Sequence, residues 1–355
     1  MALSSRRGRM LLVAFGLVAG CAKIAPPPGG PIDNVGPLVL DVEPESLAVG
    51  VPVGAPIRIR FSEAVDPVSL ERALWVTPGG AAKPRIERDG ETATIRLGRP
   101  LPDSTTVAVL LTTVLKDRRR EGTENRLAVP ARWIFTTGDT LWPGRVHGTV
   151  ERVGISPGQG PVLVALYAEA GDSLPDPVVA DPLAVAEADT AGSYDLSGLR
   201  VDGSRQWLFA LYDRDGNREI GGAGEFASAV PETVILTPGK KDLLLPLRLV
   251  DPKAPATLTG TLVKDAPDTV ILGVELLAAD ADSAALPVKG AQAGKSGSFS
   301  LASVPPGAYR LLAYCDLDRN GRRDPGEPIS LYGEIILAPG SRRELGQWHI
   351  SSCLP

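Results

Sequence analysis

The sequence predicts an all-β protein built from three tandem β-sandwich domains. The chain holds 39 glycines and 33 prolines but only 5% aromatic residues, a composition typical of many short strands joined by turns. Short segments such as Ile57–Phe61 alternate between apolar and polar residues with period two. The second half also repeats itself after about a hundred residues, which indicates a duplicated domain rather than a solenoid. These observations place the domains at 36–138, 145–250 and 256–355.

The first 20 residues have the layout of a secretory signal. Three arginines precede a short apolar run, Met10–Val18, and small residues then lead to Cys21. The run is too short to span a bilayer. The segment resembles the signal of bacterial lipoproteins, although Val18 replaces the leucine that is commonest at the first position of that motif. The resemblance implies a signal peptide over 1–20 and a lipidated Cys21 as the mature N-terminus. An ordinary signal peptide with an incidental cysteine is the alternative.

Residues 21–35 are expected to connect the lipid to the first domain. The stretch is rich in proline and glycine, which favours an extended tether. Ala22, rather than aspartate, follows Cys21, and this fits sorting to the outer membrane if the organism is Gram-negative. We therefore expect an exported protein that is lipid-anchored to the cell envelope, with the membrane as a partner through the anchor.

The charge of the chain argues against nucleic acid as a partner. The precursor has 37 basic and 42 acidic residues and a net charge of −5. Loss of the three signal arginines leaves 34 basic residues against 42 acidic ones, a net charge of −8. Because no basic cluster larger than Arg118–Arg120 is present, nucleic acid is disfavoured as a partner.

Residues 36–138 read as a two-sheet sandwich. Period-two alternation predicts strands at Ile57–Phe61, Thr92–Leu97 and Arg132–Thr136. Val107–Val114 is more continuously apolar, which predicts a strand covered on both faces. Val68–Leu74 is expected to form one or two helical turns. Strands at these intervals, separated by proline and glycine turns, are typical of a β-sandwich.

Several motifs in this region resemble a known family. They are Pro44, the run Phe61–Asp66, the pair Pro100–Leu101 and the closing run Phe135–Gly138. Together they resemble the bacterial Ig-like domain of surface-layer proteins, the SbsA type. The resemblance implies a sandwich that serves as a spacer or adhesive module without a catalytic site. Phe61 and Phe135 are expected to fill its core.

The remainder of the chain contains two related copies. His147–Val150 matches Thr259–Leu262, and Leu208–Asp213 matches Leu311–Asp316. In copy two, Gly297–Leu301 followed by Val304–Tyr309 resembles the transthyretin-like domain of the carboxypeptidase-regulatory type. That family supplies accessory or stalk domains. Copy one lacks the Pro-Pro-Gly turn, so the resemblance is weaker there.

An acidic loop follows the central strand of copy two. Its oxygen-bearing side chains occupy positions 1, 3, 5, 9 and 12 of a twelve-residue loop, with glycine at position 6, which is the spacing of a calcium loop of the EF-hand kind. Arg322 at position 7 would offer its carbonyl, and prolines on the exit side preclude a regular helix. The expected ligands are Asp316, Asp318, Asn320, Arg322, Asp324 and Glu327.

Copy one carries a related loop whose spacing differs. Gly216 lies two places earlier and the last glutamate one place later, which predicts a degraded or rearranged version. Its candidate ligands are Asp213, Asp215, Asn217, Glu219 and Glu225. The alternative for both loops is a set of metal-free Asx turns. Calcium is the one cofactor that the sequence suggests.

Two further cysteines, Cys315 and Cys353, follow the anchor cysteine. In an oxidising exterior they are expected either to form a disulfide or to remain two isolated thiols. Spacing alone does not decide between these alternatives, because a disulfide requires a short Cα–Cα distance.

The sequence predicts that the protein is not an enzyme. It has two histidines without metal-ligand spacing and no Gly-x-Ser-x-Gly motif. The expected function is a structural, spacer or binding module of the envelope, with an unknown envelope protein or polysaccharide as partner. A carbohydrate- or peptide-binding receptor and an assembly factor of an envelope complex are the alternatives. The scattered tryptophans favour core and interface use over a sugar platform, and an assembly factor would need an apolar patch or open sheet edge.

Overall fold

The computed structural model describes residues 34–355 apart from 79–83, 119–123, 157, 159, 172, 265–269, 284, 351–352 and 354–355. Residues 35–355 form one compact unit. The described residues fold into strands with a single short helix, and the all-β prediction is confirmed.

The first sandwich contains seven strands and the helix in its described part. Their bounds are β1 (Val39–Glu43), β2 (Ile57–Phe61), α1 (Pro67–Ala73), β3 (Leu74–Thr77), β4 (Arg85–Asp89), β5 (Thr92–Arg96), β6 (Thr106–Leu111) and β7 (Ala131–Thr136). One sheet has the order β1-β2-β5-β4 and the other the order β3-β6-β7.

The local sequence explains these elements. In β2, Ile57, Ile59 and Phe61 face the core, as the alternation predicts. The carboxylate of Asp66 caps α1 by accepting the N–H of Ser69 at 2.7 Å. All six residues of β6 are buried, so the prediction of a strand covered on both faces is confirmed.

Copy one contributes nine strands. They are β8 (Gly144–Val153), β9 (Val162–Ala168), β10 (Ala184–Glu187), β11 (Ser193–Leu199), β12 (Arg205–Tyr212), β13 (Phe226–Ala227), β14 (Glu232–Ile235), β15 (Asp242–Leu244) and β16 (Leu247–Val250). One sheet has the order β10-β9-β12-β13, with β14 also paired to β12. The other has the order β11-β8-β15, with β16 also paired to β8.

Copy two repeats this plan with longer strands. They are β17 (Ala256–Lys264), β18 (Ile271–Ala278), β19 (Lys289–Gln292), β20 (Ser298–Val304), β21 (Gly307–Asp316), β22 (Ile329–Leu337) and β23 (Arg342–Ile350). The sheet orders are β19-β18-β21-β22 and β20-β17-β23. In each copy the first strand pairs in parallel with the last, β8 with β16 and β17 with β23.

Each region has its own apolar core. One cluster lies within the first sandwich around Phe61 and Phe135, one within copy one around Leu166 and Leu208, and one within copy two. A fourth cluster joins the first sandwich to copy one, with Leu110 and Trp75 packed against the outer face of the β9–β12 sheet. The first sandwich and copy one are therefore docked through a continuous apolar contact.

Candidate functional site

The two acidic loops begin at equivalent places in the two copies. Asp213 directly follows β12, and Asp316 is the last residue of β21. Both side chains are buried, with exposed fractions of 1% and 0%. Each loop therefore starts from a carboxylate held inside the sandwich rather than on its surface.

In copy two, Asp316 organises the loop through backbone amides. Its Oδ1 accepts the N–H of Asn320 at 3.1 Å, and its Oδ2 accepts the N–H of Gly321 at 2.9 Å. Asp318 accepts the same Asn320 N–H at 3.1 Å and the Asn320 side-chain amide at 2.9 Å. Gln292 on β19 also donates to Asp316, at 3.3 Å.

Glu327 closes this loop from the far side. Its Oε1 accepts the N–H of Leu317 at 2.8 Å and its Oε2 that of Asp324 at 2.9 Å. Oxygens of Asp316, Asp318 and Glu327 consequently lie within 4.8 Å of one another.

The other three predicted ligands lie at different places in the copy-two loop. Asp324 lies outside the group of three carboxylates and accepts a hydrogen bond from the Asn320 amide. Asn320 turns its Oδ1 to the N–H of Arg322, at 2.8 Å. The structure therefore brings three of the six predicted residues together as one group.

In copy one, Asp213 plays the same part as Asp316. Its Oδ1 accepts the N–H groups of Gly216 and Asn217 at 2.9 and 3.1 Å, and its Oδ2 accepts that of Arg218 at 3.0 Å. Oxygens of Asp213, Asp215 and Glu225 again lie within 4.8 Å of one another.

The remaining contacts of the copy-one loop also correspond to those of the copy-two loop. Asp215 accepts the Asn217 side-chain amide at 3.1 Å, and Glu225 accepts the N–H of Gly222 at 2.8 Å. Glu219 lies outside the group of three carboxylates, and its N–H donates to Asn217 at 2.6 Å. The later position of Glu225 therefore does not disturb the closure of the loop.

The displaced glycine has a simple explanation in the backbone. Both loops have positive φ at position 4 and at position 6. Copy one places Gly216 (φ 69°) and Arg218 (φ 72°) there, and copy two places Arg319 (φ 64°) and Gly321 (φ 78°). Each copy thus has glycine, which adopts positive φ without strain, at one of the two left-handed positions. The glycine is at position 4 in copy one and at position 6 in copy two. The expected rearrangement in copy one is limited to this exchange.

Burial changes the acid–base character of the first loop. The pKa of Asp213 is raised from 3.8 to about 6, mainly by burial and also by the nearby charge of Glu225, while the backbone amides of Arg218, Gly216 and Asn217 act in the opposite direction. A cation bound by these carboxylates would compensate for the burial of charge.

The loop of copy one also forms part of the contact with the first sandwich. Arg218 donates to the carbonyl of Leu74 at 2.7 Å, and its guanidinium carbon lies 5.9 Å from the centroid of the Trp75 ring. A Cβ on Gly216 would approach Val114 to 2.5 Å, so the close approach requires glycine. Both residues at the left-handed positions therefore contact the neighbouring sandwich.

Two buried charged groups complete this contact, and sequence reasoning missed both. Glu187 on β10 accepts the N–H of Thr113 at 2.7 Å and also bonds the Thr113 hydroxyl. Burial raises its pKa. Arg132 on β7 donates to Ser197 and to the Val185 carbonyl, and burial lowers its pKa to about 10. No sequence spacing signals either residue, because their partners lie 53 to 74 positions away.

The matching face of copy two is covered by the chain itself. Residues 279–283 and 285–288, here named the covering segment, lie across this face between β18 and β19. Arg323, at position 8 of the acidic loop, pairs with Glu275 at 2.7 Å and donates to the carbonyls of Ser283 and Ala285. Arg310 donates to the carbonyl of Ala281 at 2.6 Å. Two arginines thus hold the covering segment against the sheet.

Cys315 and Cys353 form a disulfide in the structure, with a Cα–Cα distance of 5.6 Å. Cys315 immediately precedes Asp316, so the bond ties the chain beyond β23 to the strand that supports the second acidic loop. Cys21, the predicted lipidation site, lies outside the described residues, as do the signal and most of the tether. Within the described part of the chain, no helix has the length and apolar character needed to cross a membrane.

Comparison with known families identifies one part of the chain. Residues 33–137 match the family described as bacterial Ig-like domain. The match covers less than a third of the sequence and coincides with the first sandwich. No curated protein matches the chain.

Three solved structures that resemble the chain are all distant from it. The Bacillus anthracis TIE protein is 11% identical with a TM-score of 0.23, over 89% of this chain and 58% of its own. A putative cell adhesion protein from Bacteroides ovatus is 12% identical with a TM-score of 0.27, over 59% and 93% of the two chains. A minor pilin of Streptococcus agalactiae is 11% identical with a TM-score of 0.22, over 60% and 97%. The chain thus spans little more than half of the TIE protein, and likeness at this level carries no functional conclusion.

Proposed function

We propose that the protein is a non-enzymatic lipoprotein of the cell envelope, acting as a rigid spacer or binding module. The docked pair formed by the Ig-like sandwich and copy one is the observation that carries this proposal. An apolar cluster and the buried contacts of Arg132, Glu187 and Arg218 join the two. A module that must hold a partner at a fixed distance needs such a joint. The proposal includes transthyretin-like character for both copies, the domain bounds given above, and export with lipidation at Cys21.

The anchor is tested by replacing Cys21 with serine. We expect the wild-type protein to incorporate a fatty-acid analogue and to fractionate with membranes, whereas Cys21→Ser loses the label and is released. Cys315→Ser with Cys353→Ser is the matched control, because it removes the other two cysteines, which form the disulfide, without touching the signal. A Cys21→Ser protein that keeps both the label and the membrane association would refute lipidation at this residue.

We further propose that calcium stabilises the two acidic loops. The donor set in each is made of oxygens only, three carboxylates within 4.8 Å and a neighbouring asparagine, which suits a hard cation. Asp316, Asp318 and Glu327 would hold the ion in copy two, and Asp213, Asp215 and Glu225 in copy one. Such an ion would hold the loops in place in a calcium-containing exterior and would supply no reaction chemistry.

The calcium proposal is tested by thermal unfolding of the full chain after chelator treatment. A ligand at one hundred times its dissociation constant adds about 2.7 kcal/mol to the free energy of unfolding, so millimolar calcium should raise the melting temperature. Asp318→Asn should reduce the shift, whereas Asp139→Asn, an exposed aspartate outside both loops, should not. An unchanged melting temperature in wild type would refute the proposal.

A peptide-binding receptor is the second candidate function. The covering segment and the acidic loop of copy two enclose a recess of about 810 Å³ that no other part of the described chain fills. The recess favours this alternative over a carbohydrate receptor, since Trp133 and Trp348 are core residues, while Trp75 and Trp207 are partly buried at the contact between the first sandwich and copy one.

A further inference from the structure

Asn320, in the acidic loop of copy two, has the sequence neighbour that most favours spontaneous loss of an asparagine side-chain amide. The asparagines of the chain are Asn34, Asn125, Asn217 and Asn320, and only Asn320 is followed by glycine. Asparagine is a chemically labile residue, because the backbone nitrogen of the next residue can attack its side-chain carbonyl carbon. A following glycine carries no side chain to hinder this attack. Asn320 is therefore the asparagine of this chain that should react most readily.

The glycine at this place follows from the backbone of the loop. Gly321 has a φ of 78°, a left-handed conformation that glycine adopts without strain. Copy one has Arg218 at the equivalent position, with a φ of 72°, so Asn217 precedes a bulky side chain. The two loops share one backbone conformation, and only copy two combines it with the reactive pair.

The folded loop restrains both groups that would react. The Gly321 N–H donates to Oδ2 of Asp316 at 2.9 Å, and the negative carboxylate disfavours loss of that proton. The Asn320 side-chain amide donates to Asp318 at 2.9 Å and to Asp324, and its oxygen accepts a backbone N–H at 2.8 Å. The attack requires an unprotonated Gly321 nitrogen and a side chain that turns toward it. These hydrogen bonds must therefore open before the reaction can proceed.

We propose that Asn320 is a site of spontaneous deamidation and that opening of the copy-two loop sets its rate. In the open loop the Gly321 nitrogen loses its proton and bonds to Cγ of Asn320, and the side-chain nitrogen leaves as ammonia. A water molecule then opens the resulting cyclic imide to aspartate or isoaspartate. The net reaction consumes water, releases ammonia and neither oxidises nor reduces any group. Both residues are exposed, so solvent water reaches the site.

The product favours the open loop. Deamidation removes the amide donors that bind Asp318 and Asp324, and it places a new carboxylate beside theirs. Like charges this close repel one another. The reaction is therefore an irreversible change that loosens the loop as the protein ages. It goes beyond the spacer function and depends neither on calcium nor on lipidation, because every contact that it involves is made by the chain itself.

Peptide mapping by mass spectrometry tests the proposal on the full-length protein. The protein is kept with chelator at mildly alkaline pH and then digested at acid pH, where the attacking nitrogen keeps its proton. In the denatured chain we expect Asn320 to show the mass change of deamidation while Asn125 and Asn217 stay intact. In the folded protein Asn320 should react about tenfold more slowly or less, because only the fraction of molecules with an open loop reacts.

Two variants loosen the loop at different hydrogen bonds. Asp316→Ala frees the Gly321 nitrogen, and Asp318→Ser frees the Asn320 side chain. Each should raise the folded-state rate at Asn320 by roughly two- to tenfold, the effect of losing a hydrogen bond. Asp318 is exposed, so its variant should keep the fold even if Asp316→Ala does not, and circular dichroism checks both.

Glu344→Ala is the matched control, because it removes an exposed carboxylate on β23, in the other sheet of copy two. It should leave the rate at Asn320 unchanged. The proposal would be overturned if Asn320 stayed intact in the denatured chain or reacted equally fast in the folded and denatured chains. A folded-state rate that neither loop variant raises would overturn it as well.

Discussion

The two copies present the same sheet face in opposite ways. Copy one has Ala165 and Ile220 where copy two has Glu275 and Arg323, as strand register and loop position establish. The first pair is buried in the cluster that joins copy one to the Ig-like sandwich. The second pair forms an ion pair and fastens the covering segment. The two copies thus differ at two equivalent positions. With Ala165 and Ile220 the face packs against a neighbouring domain, and with Glu275 and Arg323 it is covered by a segment of its own copy.

The difference follows from the cost of burying charge. An apolar face gains free energy from any apolar neighbour that excludes water from it. A buried arginine needs hydrogen-bond acceptors at fixed positions. Glu275 and the carbonyls of the covering segment already supply them to Arg323. Copy two therefore retains a partly polar recess where copy one has an interface.

The largest expected effect comes from breaking the ion pair of copy two. Arg323→Ala leaves Glu275 without its partner while its side chain is only 9% exposed, so the free energy of unfolding should fall by about 3–5 kcal/mol. The double variant Glu275→Ala with Arg323→Ile installs the residues of copy one and should recover most of that loss. Chemical denaturation of the full chain measures both. A loss below about 1 kcal/mol for Arg323→Ala would contradict the comparison.

The next effect concerns the apolar contact of copy one. Leu110→Ala should cost about 2–5 kcal/mol and uncouple the Ig-like sandwich from copy one, because Leu110 belongs to the cluster that joins them. Leu111→Ala is the control, since the adjacent Leu111 packs inside the sandwich. Backbone ¹⁵N relaxation should give separate rotational correlation times for residues 36–138 and 145–250 in Leu110→Ala only. A shared correlation time in that variant would show that the polar contacts alone hold the joint.

The smallest expected effect is a pH dependence at the same joint. Burial raises the pKa of Glu187, with Asp213 raising and Arg152 and Thr113 lowering it. The folded state therefore holds a proton that the unfolded state has lost, and stability should decrease as pH rises from 4.5 through the raised pKa. Glu187→Gln, which copies Gln292 of copy two, should reduce this slope to the part that comes from Asp213, whose pKa burial also raises, and should change stability by no more than about 1 kcal/mol. Unfolding curves at several pH values check it, and an unchanged slope would contradict the assignment to Glu187.

The elements that sequence could predict are those governed by local patterns. Alternation located β2 and β7 to within one residue, and the apolar run of β6 indicated cover on both of its faces. The spacing of the acidic residues identified both groups of three carboxylates. In each case the signal lies within about a dozen neighbouring residues.

The rest depends on contacts between distant segments. Nothing local indicates that Leu110 packs on copy one, that Glu187 meets Thr113, or that Arg323 fastens the covering segment. The sequence also did not show that glycine and arginine occupy loop positions 4 and 6 in opposite order in the two copies. An arginine at positive φ is rare, so the shared backbone conformation could not be predicted. The sequence pattern therefore underestimated how closely the first loop matches the second.

The parallel pairing of first and last strands in each copy has a mechanical consequence. Val150 to Val153 run beside Leu247 to Val250, and Thr257 to Lys264 run beside Arg342 to Ile350. In a parallel pair the chain enters at one end and leaves at the other, so tension on the two ends acts along the strands. The inter-strand hydrogen bonds then bear load in shear, together rather than one after another. Each copy is thus arranged to resist extension by pulling.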